Sequence, residues 1–178
     1  MINYSPLGSM VIAVNLADAM PWKIVTSFLT NAWLDGYDPR GEVPGIVEVD
    51  HTASGFAYLF DTTSERLIAA WGVSKGRHGA ARDASRMAGH PLSAGPDYHR
   101  GHAIPHRLGG QTDINLVPQL GKVNIGAFRP LERQAVATPG SMYFTYWLYR
   151  GGLGQTPSGV DQGLLVAGRL PDIRRHGN

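Results

Sequence analysis

The sequence contains no cysteine. No disulfide framework can staple the fold and no thiolate can hold zinc, so any metal must bind through oxygen or nitrogen. Charge of one sign is also scarce: 16 Lys and Arg against 14 Asp and Glu leave a formal net charge of only +2. A chain so close to neutrality is not compelled to bind a polyanion, although a pI near 9.0 and the arginines gathered in the C-terminal half permit it. No apolar stretch approaches the ~20 residues that span a bilayer, which argues against a membrane protein. The N-terminus lacks a basic region followed by an apolar run and a small-residue cleavage site. Classical secretion is therefore not expected, whereas delivery by a specialised export machine stays open. No internal repeat is visible, so repeat architectures are set aside.

What is present reads as globular. Apolar residues make up 43% and charged residues 17%, while 23 glycines and 12 prolines call for many turns between short elements. The 178 residues fit one compact domain, 1–178. A helix is expected over 21–34, with Pro21 in its first turn. The stretch 35–44 (DGYDPRGEVP) is dense in turn formers, and short strands follow at 45–49, 56–60 and 67–73. The Gly-, Arg- and Ala-rich run 74–97 shows no apolar periodicity and suits a loop with some helical turns. Residues 141–150 (SMYFTYWLYR) alternate as a strand, and their aromatics suit a core better than a base-stacking platform. A last strand is expected at 163–168, with the end of the chain, 174–178, frayed.

The most informative stretch is 98–133, YHRGHAIPHRLGGQTDINLVPQLGKVNIGAFRPLER. Three histidines, two candidate ligand asparagines and several arginines stand there among small and apolar residues. Phosphodiester hydrolysis needs a base to activate water, a cation to stabilise charge at phosphorus and the leaving oxygen, and further cations to hold the backbone. A neutral imidazole supplies the base, and an amide or carboxylate oxygen suits a hard ion such as Mg²⁺. His102 and Asn124 fit those two parts. A helix over 123–136 would place Asn124 at its start and Glu132 eight residues on, an offset of ~80° that keeps both on one broad face. Pro130 disturbs this, because proline belongs in a first turn and moves the helix start to about Phe128.

At these residues the sequence resembles the DNA/RNA non-specific endonucleases, a branch of the ββα-metal (His-Me finger) nucleases. Their Asp-Arg-Gly-His motif is matched by HRGH at 99–102. A glycine-containing loop by LGG at 108–110, an Asn-Leu-Val-Pro-Gln-like segment by NLVPQ at 115–119, and the ligand helix by KVNIGAFRPLE at 122–132 follow in order. The resemblance covers roughly 97–168. It implies an α+β fold: a ββα-metal core with a central antiparallel sheet flanked by helices, residues 1–90 completing the core. It also implies that His102 activates water, Asn124 ligates one Mg²⁺, with Mn²⁺ as a substitute, and Glu132 supports that ion. Arg100 then stands near the scissile phosphate, and Arg129 and Arg133 hold the backbone. His99 and His106 are secondary candidates for phosphate contact. The first motif position is His99 where the family has Asp, and the nearest acid is Asp97.

Other readings compete. Asn115 is better explained as a turn-fixing side chain than as a ligand. His51 and His78 read as structural or surface residues. His99, His102 and His106, at i, i+3 and i+7 in a Gly- and Pro-containing segment, are poorly spaced for a zinc site. The leading expectation is an endonuclease acting on DNA, or RNA, with little base specificity, since no helix-turn-helix, zinc finger or RNA-binding motif is present. Indiscriminate nuclease activity without a classical signal suits a toxin effector delivered into target cells and neutralised by an acidic immunity protein. The alternative is a non-catalytic nucleic-acid-binding module that keeps the fold, with His99 in place of the acid as its best argument.

Overall fold

A computed structural model describes residues 1–37, 45–51, 54–81, 84–91, 93–151 and 154–178. Among the described residues, eight strands form two sheets. β1 (Ile46–His51), β2 (Phe56–Asp61), β3 (Arg66–Val73), β6 (Met142–Leu148), β7 (Gly159–Leu165) and β8 (Asp172–Gly177) make an antiparallel sheet in the order β1-β2-β3-β6-β7-β8. β4 (Tyr98–His102) and β5 (Leu116–Leu120) pair separately as an antiparallel ribbon. The turn-rich stretch expected at 35–44 lies, from 38 onward, outside the described residues, as does the side chain of His51.

The large sheet is covered on both faces, which is why β3 and β6 read as nearly unbroken apolar runs. Successive side chains point to opposite faces, so each strand serves two cores. Ala57, Leu59, Trp71, Met142, Phe144 and Tyr146 face one layer; Phe56, Tyr58, Ala70, Tyr143 and Trp147 face the other. The first layer is built by α1 (Leu7–Ile12) and α2 (Lys23–Gly36). Val25, Leu29 and Trp33 recur every four residues along α2, forming one buried stripe. The Trp33 ring reaches Phe144 at 5.3 Å, Trp71 at 5.5 Å and Tyr146 at 6.1 Å. Thr26 and Thr30 do not break this helix, because their hydroxyls donate one turn back to the carbonyls of Trp22 (2.9 Å) and Thr26 (3.1 Å).

The second layer is the β4-β5 ribbon followed by α4 (Arg129–Ala137). Phe128, Leu131 and Ala135 bury one side of α4 against Tyr143, Trp147, Val160 and Leu164. Burial of Phe128 and Leu131 stabilises by roughly 1.5–3 kcal/mol each. Gln162 fastens this layer to the sheet: its Nε2 donates to the Phe128 carbonyl (3.1 Å) and to the Tyr143 hydroxyl (2.9 Å). This ββα unit on a central antiparallel sheet, with α1 and α2 behind it, is the ββα-metal core that the sequence led us to expect. Among its described residues, the long connection expected at 74–97 contains one turn of helix, α3 (Ala84–Met87).

Two expectations are corrected. The strand expected at 163–168 runs instead from Gly159 to Leu165, because Asp161 and Gln162, polar as they are, lie buried in β7. The chain beyond 174 is not frayed. Arg175 makes a bidentate pair with Asp161, 2.6 Å at both oxygens, and draws β8 into the sheet. Asn178 then reaches the ribbon, its Oδ1 accepting from the Leu120 amide (2.8 Å) and its Nδ2 donating to the carbonyls of Pro118 and Pro157 (2.9 Å each).

His176 on β8 supplies a pH test. Burial first, and then the Arg174 guanidinium, hold its imidazole below the ordinary value, with Asp161 opposing them. Its Nε2 lies 3.1 Å from Gln162 Oε1, to which it donates. The unfolded chain takes up this proton near pH 6.5 and the folded chain only at lower pH. The contribution is therefore complete above pH 6.5 and lost as pH falls through the window beneath it. We expect wild type to lose more stability than His176→Gln between pH 7.5 and 5.5, read as urea midpoints; equal losses refute it.

Candidate active site

β4 and β5 pair with His102 opposite Leu116 and Arg100 opposite Pro118, so the ribbon delivers His102 at its end. His102 is 7% exposed, and the next residues turn away under tight restraint. Asn115 Oδ1 accepts from the Ile104 amide (2.7 Å), and its Nδ2 donates to the carbonyls of Ile104 (2.9 Å) and Gln111 (2.8 Å). Asn115 is fully buried, so its work is structural, as the sequence favoured. Gly110 has no room for a side chain, since a methyl group there would collide with the Ile104 carbonyl. The same loop carries His106, whose ring centre lies 6.1 Å from that of His102 and 6.2 Å from that of His78.

After β5 the chain makes one π turn, Val123–Ala127, before α4 begins. Pro130 has no amide to donate, so a regular ladder cannot run through it; instead the Phe128 amide reaches the Val123 carbonyl at 3.1 Å, a wider i to i+5 closure. The continuous helix over 123–136 is thereby corrected to a π turn that holds Asn124 and a helix that holds Glu132. The two side chains still line one cleft. Arg129, Glu132, Arg133 and Val136 recur at i, i+3, i+4 and i+7 and face away from Leu131 and Ala135, so one side of α4 forms a wall.

That wall closes a cleft of about 770 Å³ with Arg77, Arg100, His102, His106, Arg107, Asn124 and Ile125. A cavity of similar size, about 790 Å³, lies on the opposite side of the sheet beside Trp22, Trp71 and Met142. Size does not choose between them. Chemistry does, since among the described residues the first cleft gathers two imidazoles, an amide, a carboxylate and five arginines, and the second is mainly apolar. Of the residues singled out in the sequence, Arg100, His102, His106, Asn124, Arg129, Glu132 and Arg133 all line the first. His99 stands on its rim, its Nδ1 3.2 Å from Asn124 Nδ2.

Arg77 and Arg107 were missed as site residues. They lie thirty residues apart and come together because the His78 amide donates to the Arg107 carbonyl at 2.7 Å, a pairing no local pattern announces. Beneath Glu132, burial raises the pKa of Tyr143, and the carboxylate raises it further. Tyr143 stays a neutral hydroxyl that accepts from Gln162.

Among the described residues no three His, Asp or Glu side chains converge as a metal-binding group. The Asn124 amide and the Glu132 carboxylate are hard oxygen donors that leave most of a coordination sphere to water and phosphate, which fits magnesium and not a three-imidazole zinc site.

A ββα unit set on a central antiparallel sheet thus presents an arginine-lined cleft. Residues 66–141 match the family model described as DNA/RNA non-specific endonuclease, which bears out the resemblance carried by the motifs. A search of curated proteins finds no match. Among solved structures the chain is similar to NucA from Streptococcus agalactiae with no metal bound, at 15% identity and a TM-score of 0.51 over 88% of this chain and 92% of that one. It is equally similar to NucA from Streptococcus agalactiae with magnesium ion bound, at 16% identity and a TM-score of 0.52 over 87% and 92%. At such identity these two likenesses speak for the fold.

Proposed function

We propose that this chain is a metal-dependent, non-specific endonuclease that hydrolyses phosphodiester bonds of DNA, and of RNA where it is offered. The observation that carries the reading is the meeting of His102, Asn124 and Glu132 in one arginine-lined cleft, from strand, π turn and helix respectively. His102 accepts the proton of the attacking water. Asn124 Oδ1 would hold Mg²⁺, with Mn²⁺ as a substitute, and Glu132 would support it. When bound, the cation supplies positive charge at phosphorus and at the leaving oxygen. Arg100 faces the scissile phosphate, while Arg129, Arg133 and His106 hold the flanking backbone. Contacts of this kind read phosphate and not bases, so cleavage is independent of sequence. A magnesium-bound structure of the similar NucA supports the choice of ion.

Unrestrained cleavage of this sort calls for export or neutralisation. We read the chain as a toxin effector, secreted or delivered into target cells, with a cognate immunity protein. Among the described residues, five arginines against one carboxylate in the cleft suit an acidic inhibitor that seats over it. The alternative, a binding module without chemistry, is favoured by His99 in place of the family's Asp. Titrating the purified protein with EDTA and then with Mg²⁺, Mn²⁺ or Zn²⁺ against supercoiled plasmid separates the two. Cleavage should vanish in EDTA, return with Mg²⁺ or Mn²⁺ and stay absent with Zn²⁺; a protein inert under every cation but retarding the plasmid in gels is the binding module.

A further inference from the structure

Asn124 presents two chemically opposite ends, and only one of them can serve a cation. Its Oδ1 accepts and its Nδ2 donates, so an amide that rotates freely offers the ligand oxygen for only part of the time. In this structure the Nδ2 end is occupied: it lies 3.2 Å from Nδ1 of His99, 25 residues earlier in the chain. The imidazole is held in place from a second side. It lies over Gly121, where a methyl group would stand 3.0 Å from Nε2 and 3.2 Å from Cε1. Gly121 is fixed in turn by its amide, which donates to the Asp97 carbonyl at 3.0 Å. Asp97, the nearest acid, thus takes part through its backbone.

We propose that His99 is a positioning residue that sets the Asn124 amide for cation binding. With its proton on Nε2, the imidazole accepts the Asn124 Nδ2–H at Nδ1 and turns Oδ1 away from itself. The departure from the family's Asp-Arg-Gly-His motif exchanges one acceptor for another and is not the loss of a function. Gly121 belongs to the same device, since a Cβ there would push the ring by a few tenths of an ångström. The inference rests on the reading of Asn124 as the ligand.

The test follows from which ring nitrogen does the work. An asparagine at position 99 puts its Oδ1 where the imidazole has Nδ1, the same number of bonds from Cα; a glutamine reaches only as far as Nε2. Mn²⁺ binding to the full chain without nucleic acid, followed by electron paramagnetic resonance, is compared for wild type, His99→Ala, His99→Asn, His99→Gln and Asn124→Ala. In parallel, the Mg²⁺ concentration giving half-maximal plasmid cleavage is measured. Partners behind a ligand change metal affinity by about 10- to 100-fold, and for an exposed hydrogen bond we expect the lower end. His99→Ala and His99→Gln should bind Mn²⁺ about 10-fold more weakly and need about 10-fold more Mg²⁺, with the rate at saturating Mg²⁺ within about twofold of wild type. His99→Asn should behave as wild type. Unchanged Mn²⁺ binding in His99→Ala, or equal behaviour of the Asn and Gln variants, overturns the positioning role while leaving the ligand intact. Wild type without Mn²⁺ binding, or Asn124→Ala binding as wild type does, overturns the ligand reading and this inference with it.

Discussion

His102→Ala is expected to lower kcat for plasmid cleavage by about 10³- to 10⁴-fold, the upper part of what a positioned general base contributes. Plasmid affinity should change little, because the proposed phosphate grip falls to the arginines that line the same cleft, Arg77, Arg100, Arg107, Arg129 and Arg133. The pattern therefore separates chemistry from binding: kcat collapses while the gel-shift midpoint stays within about threefold of wild type. His102 sits in a small slot at the end of β4, only 7% exposed, so truncation leaves a cavity the size of the ring. Added imidazole should enter it and restore part of the rate. A variant that cuts at the wild-type rate, or that loses binding and rate together, removes His102 from the role of base.

The second large effect is on stability and lies beside the cleft. Asn115→Ala deprives three backbone groups of their partner: the Ile104 amide, the Ile104 carbonyl and the Gln111 carbonyl, at 2.7, 2.9 and 2.8 Å in wild type. Each buried group left unsatisfied costs about 1–3 kcal/mol. Ile104 is fully buried, and water can reach only the exposed Gln111 end, so the sum comes to about 3 kcal/mol. For a chain of this length that is a fall in Tm of roughly 6–12 °C. Asn115→Asp keeps the shape and fares no better, because a carboxylate cannot donate to the two carbonyls facing its Nδ2. The loop that follows His102 loses its anchor, so activity at 37 °C should fall with stability. A drop in Tm below 2 °C in both variants, seen by calorimetry, would show that the loop is held by something else.

Much of the site was legible because its residues sit in one segment. HRGH, NLVPQ and KVNIGAFRPLE lie within 34 residues, and their order alone brings His102, Asn124 and Glu132 into one ββα unit. Pro130 announced that the helix would start late, though not that the turn before it would be a π turn; that depends on the Phe128 amide reaching Val123. What stayed hidden is what long-range pairing creates. The polar pair in β7 looks like a loop until Arg175 covers Asp161 and His176 covers Gln162, partners 14 residues away. The last residue looks frayed until its amide side chain meets β5, about 60 residues earlier. Arg77 and His99 likewise owe their places to partners 25 to 30 residues distant, and no periodicity encodes such a meeting.

The most direct measurement is a single agarose gel in which supercoiled plasmid is incubated in Mg²⁺ with wild type, His102→Ala and Asn124→Ala, each checked by circular dichroism to be folded. The account predicts that wild type alone converts the plasmid to nicked, linear and finally fragmented DNA, and that EDTA stops it. A wild type that leaves the plasmid intact, or an Asn124→Ala variant that degrades it as fast as wild type, contradicts the one-metal assignment.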